Sequence, residues 1–166
     1  MVLMLEVVTT LLVSVAMALA LAHALELPGK RRLDAQTYRA IQQIYYPGFT
    51  YAGVSEPLAV IALLSLGMAK RAERAEFVPV VIALVCLIAM HAVYWVFTHP
   101  INRLWLQNVD VGRLSERFFR RDLVKNRAPG DDELRRHLRS RWERSHVARA
   151  ALGLAALVSL LLSVAR

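Results

Sequence analysis

Seven side chains break into apolar stretches of this 166-residue sequence where each needs a physical reason to be: His23, Glu26, Glu56, His91, Tyr94, Glu143 and His146. An ionisable group inside a bilayer is expensive, so such residues are functional-site candidates by default. His23 and Glu26 stand three residues apart, as do His91 and Tyr94, and Glu143 and His146, so each pair shares one helical face. Histidine exchanges protons near neutrality, and a carboxylate beside it can orient it as a base or a relay. Glu26, His99 and Glu143 lie at the ends of apolar runs, where reaching interfacial water is the plain structural role. His91 lies about two turns inside its run, where a neutral imidazole needs a partner. Their matching depths predict that His23, Glu56, His91 and His146 converge.

The Glu143-x-x-His146 spacing invites a metal test, because di-iron carboxylate bundles use it twice, together with a Glu from each remaining helix. Here the first run carries the reverse order, His23 then Glu26, and the third offers no carboxylate, so no metal ligand is assigned. A bis-histidine haem through His91 and another histidine has no better support. A single cysteine, Cys86, excludes an intramolecular disulfide and a CxxC redox pair. Neither a glycine-rich phosphate loop nor a nucleophile-elbow serine is present, and the cofactor stays unknown.

Composition supplies the helices on which these residues sit. Hydrophobic residues make up 57% of the chain and charged ones 20%, with apolar runs at about 7–25, 51–69, 77–98 and 147–165. Each is long enough to cross a hydrocarbon core, and none shows the ten-residue alternation of an outer-membrane barrel. The expected fold is all-α, one domain: a transmembrane antiparallel four-helix bundle with an interfacial helix and a cytoplasmic helical insertion over the basic segment 103–145. The first run lacks a preceding basic residue and a small-residue cleavage site, so it reads as a span and not a signal peptide.

Of the 21 Lys and Arg residues, sixteen fall in the connections after the first and third runs, including Lys30, Arg31, Arg32 and Arg39. The positive-inside rule then puts those connections in the cytoplasm and both termini outside, as in a bacterial inner membrane. The formal charge of +8 thus reflects orientation, and the partner it implies is the lipid bilayer, with no nucleic acid. All seven polar intrusions fall in the cytoplasmic half. Asp34 is placed to cap a helix whose stripe of Tyr38, Ile41, Gln42 and Tyr45, with Phe49 and Tyr51, suits the water–lipid boundary, and Pro47-Gly48 interrupts it. Pro57 is expected to distort the helix beside Glu56, and Pro100 to end or kink the third span with Asn102 capping the next turn. Asp131 or Asp132 is expected to cap a last helix running into the fourth span.

Three stretches, HALELPGK from His23, HPINRLW from His99 and LRSRWERSHVARA from Leu138, resemble the family of small four-span membrane proteins that includes the fungal anthrone oxygenases. The most specific part is the string Arg141-Trp142-Glu143…His146…Arg149 at the entrance to the last span. The resemblance implies a four-helix membrane bundle and oxidation of an anthrone to an anthraquinone by molecular oxygen, without an established organic cofactor. It also implies a base that makes a carbanion, for which His146 oriented by Glu143 is the first candidate and His23 or His91 the second. Arg141 or Arg149 would steady the developing negative charge, and Glu26, Glu56, Tyr94 and Asn102 would help bind a small apolar or phenolic substrate. Two other classes fit the residues: a small-molecule or proton-coupled transporter using the same cluster, and a membrane scaffold whose arginine-rich segment binds anionic lipid or an acidic partner. A bundle of four spans is narrow and its far half poor in polar residues, so transport would require a homo-oligomer.

Overall fold

A computed structural model describes the backbone of residues 1–105, 118 and 132–166, and the described elements are all helical. Helix α1 (Val2–Leu25) leads through Glu26 into the short α2 (Leu27–Lys30). The first connection holds α3 (Ala35–Ile41), a 3-10 turn (Gln42–Tyr45) and α4 (Gly48–Ala52). Helices α5 (Ser55–Lys70) and α6 (Arg74–Val93) follow, then a π-helical turn (Tyr94–Thr98), α7 (His99–Trp105) and the 33-residue α8 (Asp132–Val164). Four stretches are long and apolar enough to cross a membrane: Val2–Lys30, Gly48–Lys70, Arg74–Arg103 and Arg136–Val164. The chain is a multi-pass membrane protein. The spans outrun the apolar runs because a helix closes its own backbone hydrogen bonds whatever side chains it carries. Of the basic segment 103–145, residues 106–117 and 119–131 lie outside the described residues, as does Asp131.

The helices pack as a square in which α1 and α6 each touch α5 and α8. Each turns one stripe inward: Val13, Ala16 and Ala20 from α1, Ala59, Leu63 and Leu66 from α5, Val80, Ala83, Leu87 and Met90 from α6, and Ala150, Ala156 and Leu160 from α8. Lipid tails are as apolar as leucine, so association in a bilayer relies on close packing, which small residues permit. Gly153 shows this most sharply, since a Cβ there would lie 3.1 Å from the Met17 Cα and 3.2 Å from the Met90 Sδ.

At the end of the bundle holding both termini, buried Lys70 joins all four spans. Its ammonium lies 2.5 Å from Glu6 of α1 and 2.8 Å from Glu76 of α6, and donates to the Ser163 carbonyl of α8 at 3.3 Å. Pairing with carboxylates from two other helices is what lets Lys70 be buried. Nearby, Pro79 lacks the N–H that would serve the Ala75 carbonyl, and Arg166 donates to that carbonyl at 3.1 Å.

Each of the two prolines sits beside an irregular turn. Pro57 falls in the first turn of α5, directly after the turn at Gly53 and Val54 that separates α4 from α5; having no N–H of its own, it leaves the Gly53 carbonyl to the Glu56 amide at 3.2 Å. Pro100 does not end the third span: the π-helical turn before it bonds the His99 N–H to the Tyr94 carbonyl, and the helix runs on to Trp105.

Asp34 caps α3 as its sequence predicts, accepting from the Gln36 and Thr37 amides at 2.9 Å each. The stripe behind it faces protein more than lipid: Tyr38, Gln42 and Tyr45 are buried, while Tyr51 stays exposed. Tyr38 lies under the Arg139 guanidinium, 3.9 Å from its ring centroid, and the Tyr45 hydroxyl donates to Glu26 at 2.5 Å. The first connection therefore covers one end of the bundle.

Candidate functional site

His23 continues the inward stripe of α1, spaced three or four residues apart through Val13, Ala16 and Ala20, and this carries its imidazole into the bundle. Trp142, His146, Arg149 and Gly153 likewise share one face of α8. The two stripes bring the His23 and His146 rings together, with centroids 4.1 Å apart. Aromatic rings surround them. Trp142 lies 4.2 Å from His146 and 5.4 Å from His23, while Tyr45 and Phe49 approach His23 at 4.4 and 4.9 Å. His146 is only 3% exposed and His23 7%. Neither ring nitrogen of His146 has a hydrogen-bond partner, and His23 Nδ1 has none either, standing 3.8 Å from Glu26. Buried polar atoms are nearly always paired, so these nitrogens are available to hydrogen-bond a water or another small group.

The walls of this box are fixed by further bonds. Trp142 Nε1 donates to Asn102 Oδ1 at 2.7 Å, and the hydroxyls of Thr98 and Ser145 are bonded at 2.9 Å. Both contacts tie α8 to the π-helical turn and α7. Asn102 is thus a support for the indole and not the helix cap its sequence position suggested.

A second cluster centres on buried Glu56, which accepts from the Arg149 guanidinium and lies 3.1 Å from His91 Nδ1. The Trp95 indole donates to His91 Nε2 at 2.9 Å, which fixes the tautomer: Nε2 accepts, so Nδ1–H donates to Glu56. Tyr94 stands beside this cluster, its ring 5.1 Å from the Arg149 guanidinium carbon and its hydroxyl 3.3 Å from His99 Nδ1. Arg149 stands three residues beyond His146 on α8 and so links the two clusters.

The rim of the histidine box is charged. Glu26 takes Lys30 at 2.7 Å as well as the Tyr45 hydroxyl. Burial, and then this bond to Glu26, push the Tyr45 phenol well above its usual range, so it remains a donor. Arg139 donates to Glu143 at 3.0 Å and to the carbonyls of Lys30 at 2.5 Å and Leu33 at 3.3 Å, closing the end of α2. Among the described residues no three His, Cys, Asp or Glu side chains converge as a metal would need.

In comparison with known proteins, the anthrone oxygenase family model fits residues 42–159, well over half of the chain. The chain belongs to the anthrone oxygenase family. No curated protein and no solved structure matches it. The family-matched region carries Glu56, His91, Tyr94, Asn102, Glu143, His146 and Arg149, while His23, Glu26 and Lys30 come from the helix before it.

Of the residues singled out from sequence, the structure pairs His23 with His146 and Glu56 with His91. It does not give Glu143 to His146: that carboxylate is bound by Arg139 and approached by Arg31 at 3.6 Å, because it lies one helical turn from Arg139 and on the flank of the His146 face. Arg141 does not reach the site either. It is exposed and lies 5.1 Å over the Phe97 ring, since its position on α8 points away from the stripe of Trp142 and Arg149. Two residues that sequence reasoning gave only anchoring or orienting roles, Tyr45 and Lys30, belong to the site. The signal for Lys30 was its i,i+4 spacing from Glu26, which places the two on one helical face.

Proposed function

We propose that this protein is an oxidoreductase of the anthrone oxygenase type, acting on a small apolar or polycyclic phenolic substrate that reaches the site from the bilayer. The observation that carries the reading is the His23–His146 pair, buried among Trp142, Tyr45 and Phe49, with His146 free at both nitrogens. A proton acceptor with an open lone pair among flat apolar walls suits a planar ring substrate with an acidic C–H. His146 takes the proton from the ring methylene, and the electron pair left behind delocalises onto the ring oxygen. Molecular oxygen then accepts the electrons and bonds to that carbon, and the returned proton completes a hydroperoxide. Loss of the second C–H proton breaks the O–O bond and releases water, so that CH2 plus O2 becomes C=O plus H2O.

Purified protein in detergent should consume oxygen with a hydroxylated anthrone and form the anthraquinone, followed by its visible absorption. His146→Gln should lower kcat by about 100-fold or more with helical circular dichroism unchanged, the scale expected for loss of a general base. A variant that kept the wild-type rate would remove His146 from the chemistry. The same arrangement favours a plasma-membrane location with the histidine end facing the cytoplasm, because that end carries the basic connections.

A further inference from the structure

Lys30 is among the most buried charges of the described chain, its side chain only 4% exposed. Its ammonium lies 2.7 Å from Glu26, 4.5 Å from the Tyr45 ring centroid and 5.1 Å from that of Trp142. Those two rings are walls of the histidine box, so the cation borders the place where a substrate would lie against His23 and His146. An ammonium carries three N–H donors, and Glu26 answers one direction while aromatic faces flank the rest.

The balance of charge separates Lys30 from the other cation of the site. Arg149 faces Glu56, and their side chains are equally buried at 7% and 6% exposed. That carboxylate is also bonded to His91, so the pair is neutralised internally. Glu26 is 40% exposed and shares its oxygen with the Tyr45 hydroxyl, so water screens the counter-charge of Lys30 more than it screens Lys30 itself. Glu143, the other carboxylate at this end of α8, is occupied by Arg139 and Arg31.

We infer that Lys30 binds the anionic oxygen of the substrate beside the His23–His146 pair, and that the site takes a planar aromatic phenol or enol as its anion. The inference rests on the oxidoreductase reading, since removing a proton from the ring carbon places negative charge on a ring oxygen. A fixed cation at that position stabilises the charge as it develops, without reorganising. Of the two arginines to which the family string would give this task, Arg141 is turned outward and the charge of Arg149 is compensated by Glu56, its buried Nε alone being without a partner.

The probe is a dihydroxyanthraquinone, whose phenol changes colour on ionisation, titrated with full-length protein in detergent. Dye bound to the wild type should ionise at a pH lower by about one unit or more than dye bound to Lys30→Met, the effect of one nearby opposite charge. Lys30→Arg should keep most of that lowering. Glu26→Gln, which leaves the cation without its partner, should lower the midpoint further. With a hydroxylated anthrone, Lys30→Met should lose about 100-fold in kcat. Equal midpoints in wild type and Lys30→Met, a raised midpoint in Glu26→Gln, or a wild type that takes up no dye would each overturn the inference. A wild type that binds and ionises the dye as described, yet consumes no oxygen with the anthrone, would overturn the proposed reaction and leave Lys30 as an anion-binding residue.

Discussion

Glu56 carries more of the site than its single position in the sequence suggests. It receives Arg149 from α8 and His91 from α6, so one carboxylate orients a guanidinium and an imidazole on two different helices. Removing its charge leaves the Arg149 guanidinium buried and uncompensated, whereas removing both charges leaves no uncompensated ion in this cluster. Glu56→Gln should therefore destabilise the protein by about 3 kcal/mol, read as a lower thermal midpoint in detergent. Glu56→Gln combined with Arg149→Met should recover part of that loss. If the double variant is as unstable as the sum of the two single ones, the pair is not acting as a compensated ion pair.

Among the elements, the first connection decides whether the histidine box is closed. Helix α3 has a short run of seven residues, so its start depends on Asp34, which accepts from two amides and from the Thr37 hydroxyl at 2.8 Å. The bonds from Thr37 come first among the effects that hold the Asp34 carboxyl below its ordinary range. A depressed carboxylate stabilises the fold above its unfolded value, and that contribution disappears as pH falls through the folded one. Amide exchange at Gln36, Thr37 and Tyr38 should therefore quicken, relative to other helices, as the pH drops below about 4. In Asp34→Ala these amides should exchange fast at every pH, with no such acid transition. The buried Tyr38 and Tyr45 behave oppositely: burial pushes both phenols up, so neither contributes a change across the acid and neutral range.

For the whole molecule, the two ends of the bundle divide the polar work. One end gathers Lys70, Glu6 and Glu76 into a network that ties the spans together; the other holds the paired histidines with open nitrogens. Sixteen of the 21 basic residues lie in connections on the histidine side. Reporter fusions should thus show a cytoplasm-active reporter working when inserted between α7 and α8, and silent when fused after Arg166. The reverse pattern would turn the protein over in the membrane and place the histidine box on the outer side.

The number of spans, the helical class and the end of the bundle at which the histidines gather are all legible in the order of residues. They depend on composition and depth along one dimension, since a run of about 20 apolar residues has few other fates and an ion within it needs a reason. The inward faces of His23 and His146 are legible too, because their spacing from the neighbouring small residues is helical. Which groups meet is a matter of three dimensions. Glu143 is given to Arg139 and not to His146, Asn102 to the Trp142 indole, and Glu56 to two helices at once, because those pairings depend on how the helices are rotated against one another. Lys30 and Lys70 show the same limit from the other side. Neither is marked for burial by its own residue type, and both are buried because carboxylates lie within reach, Glu26 one turn away for Lys30 and Glu6 and Glu76 on neighbouring helices for Lys70.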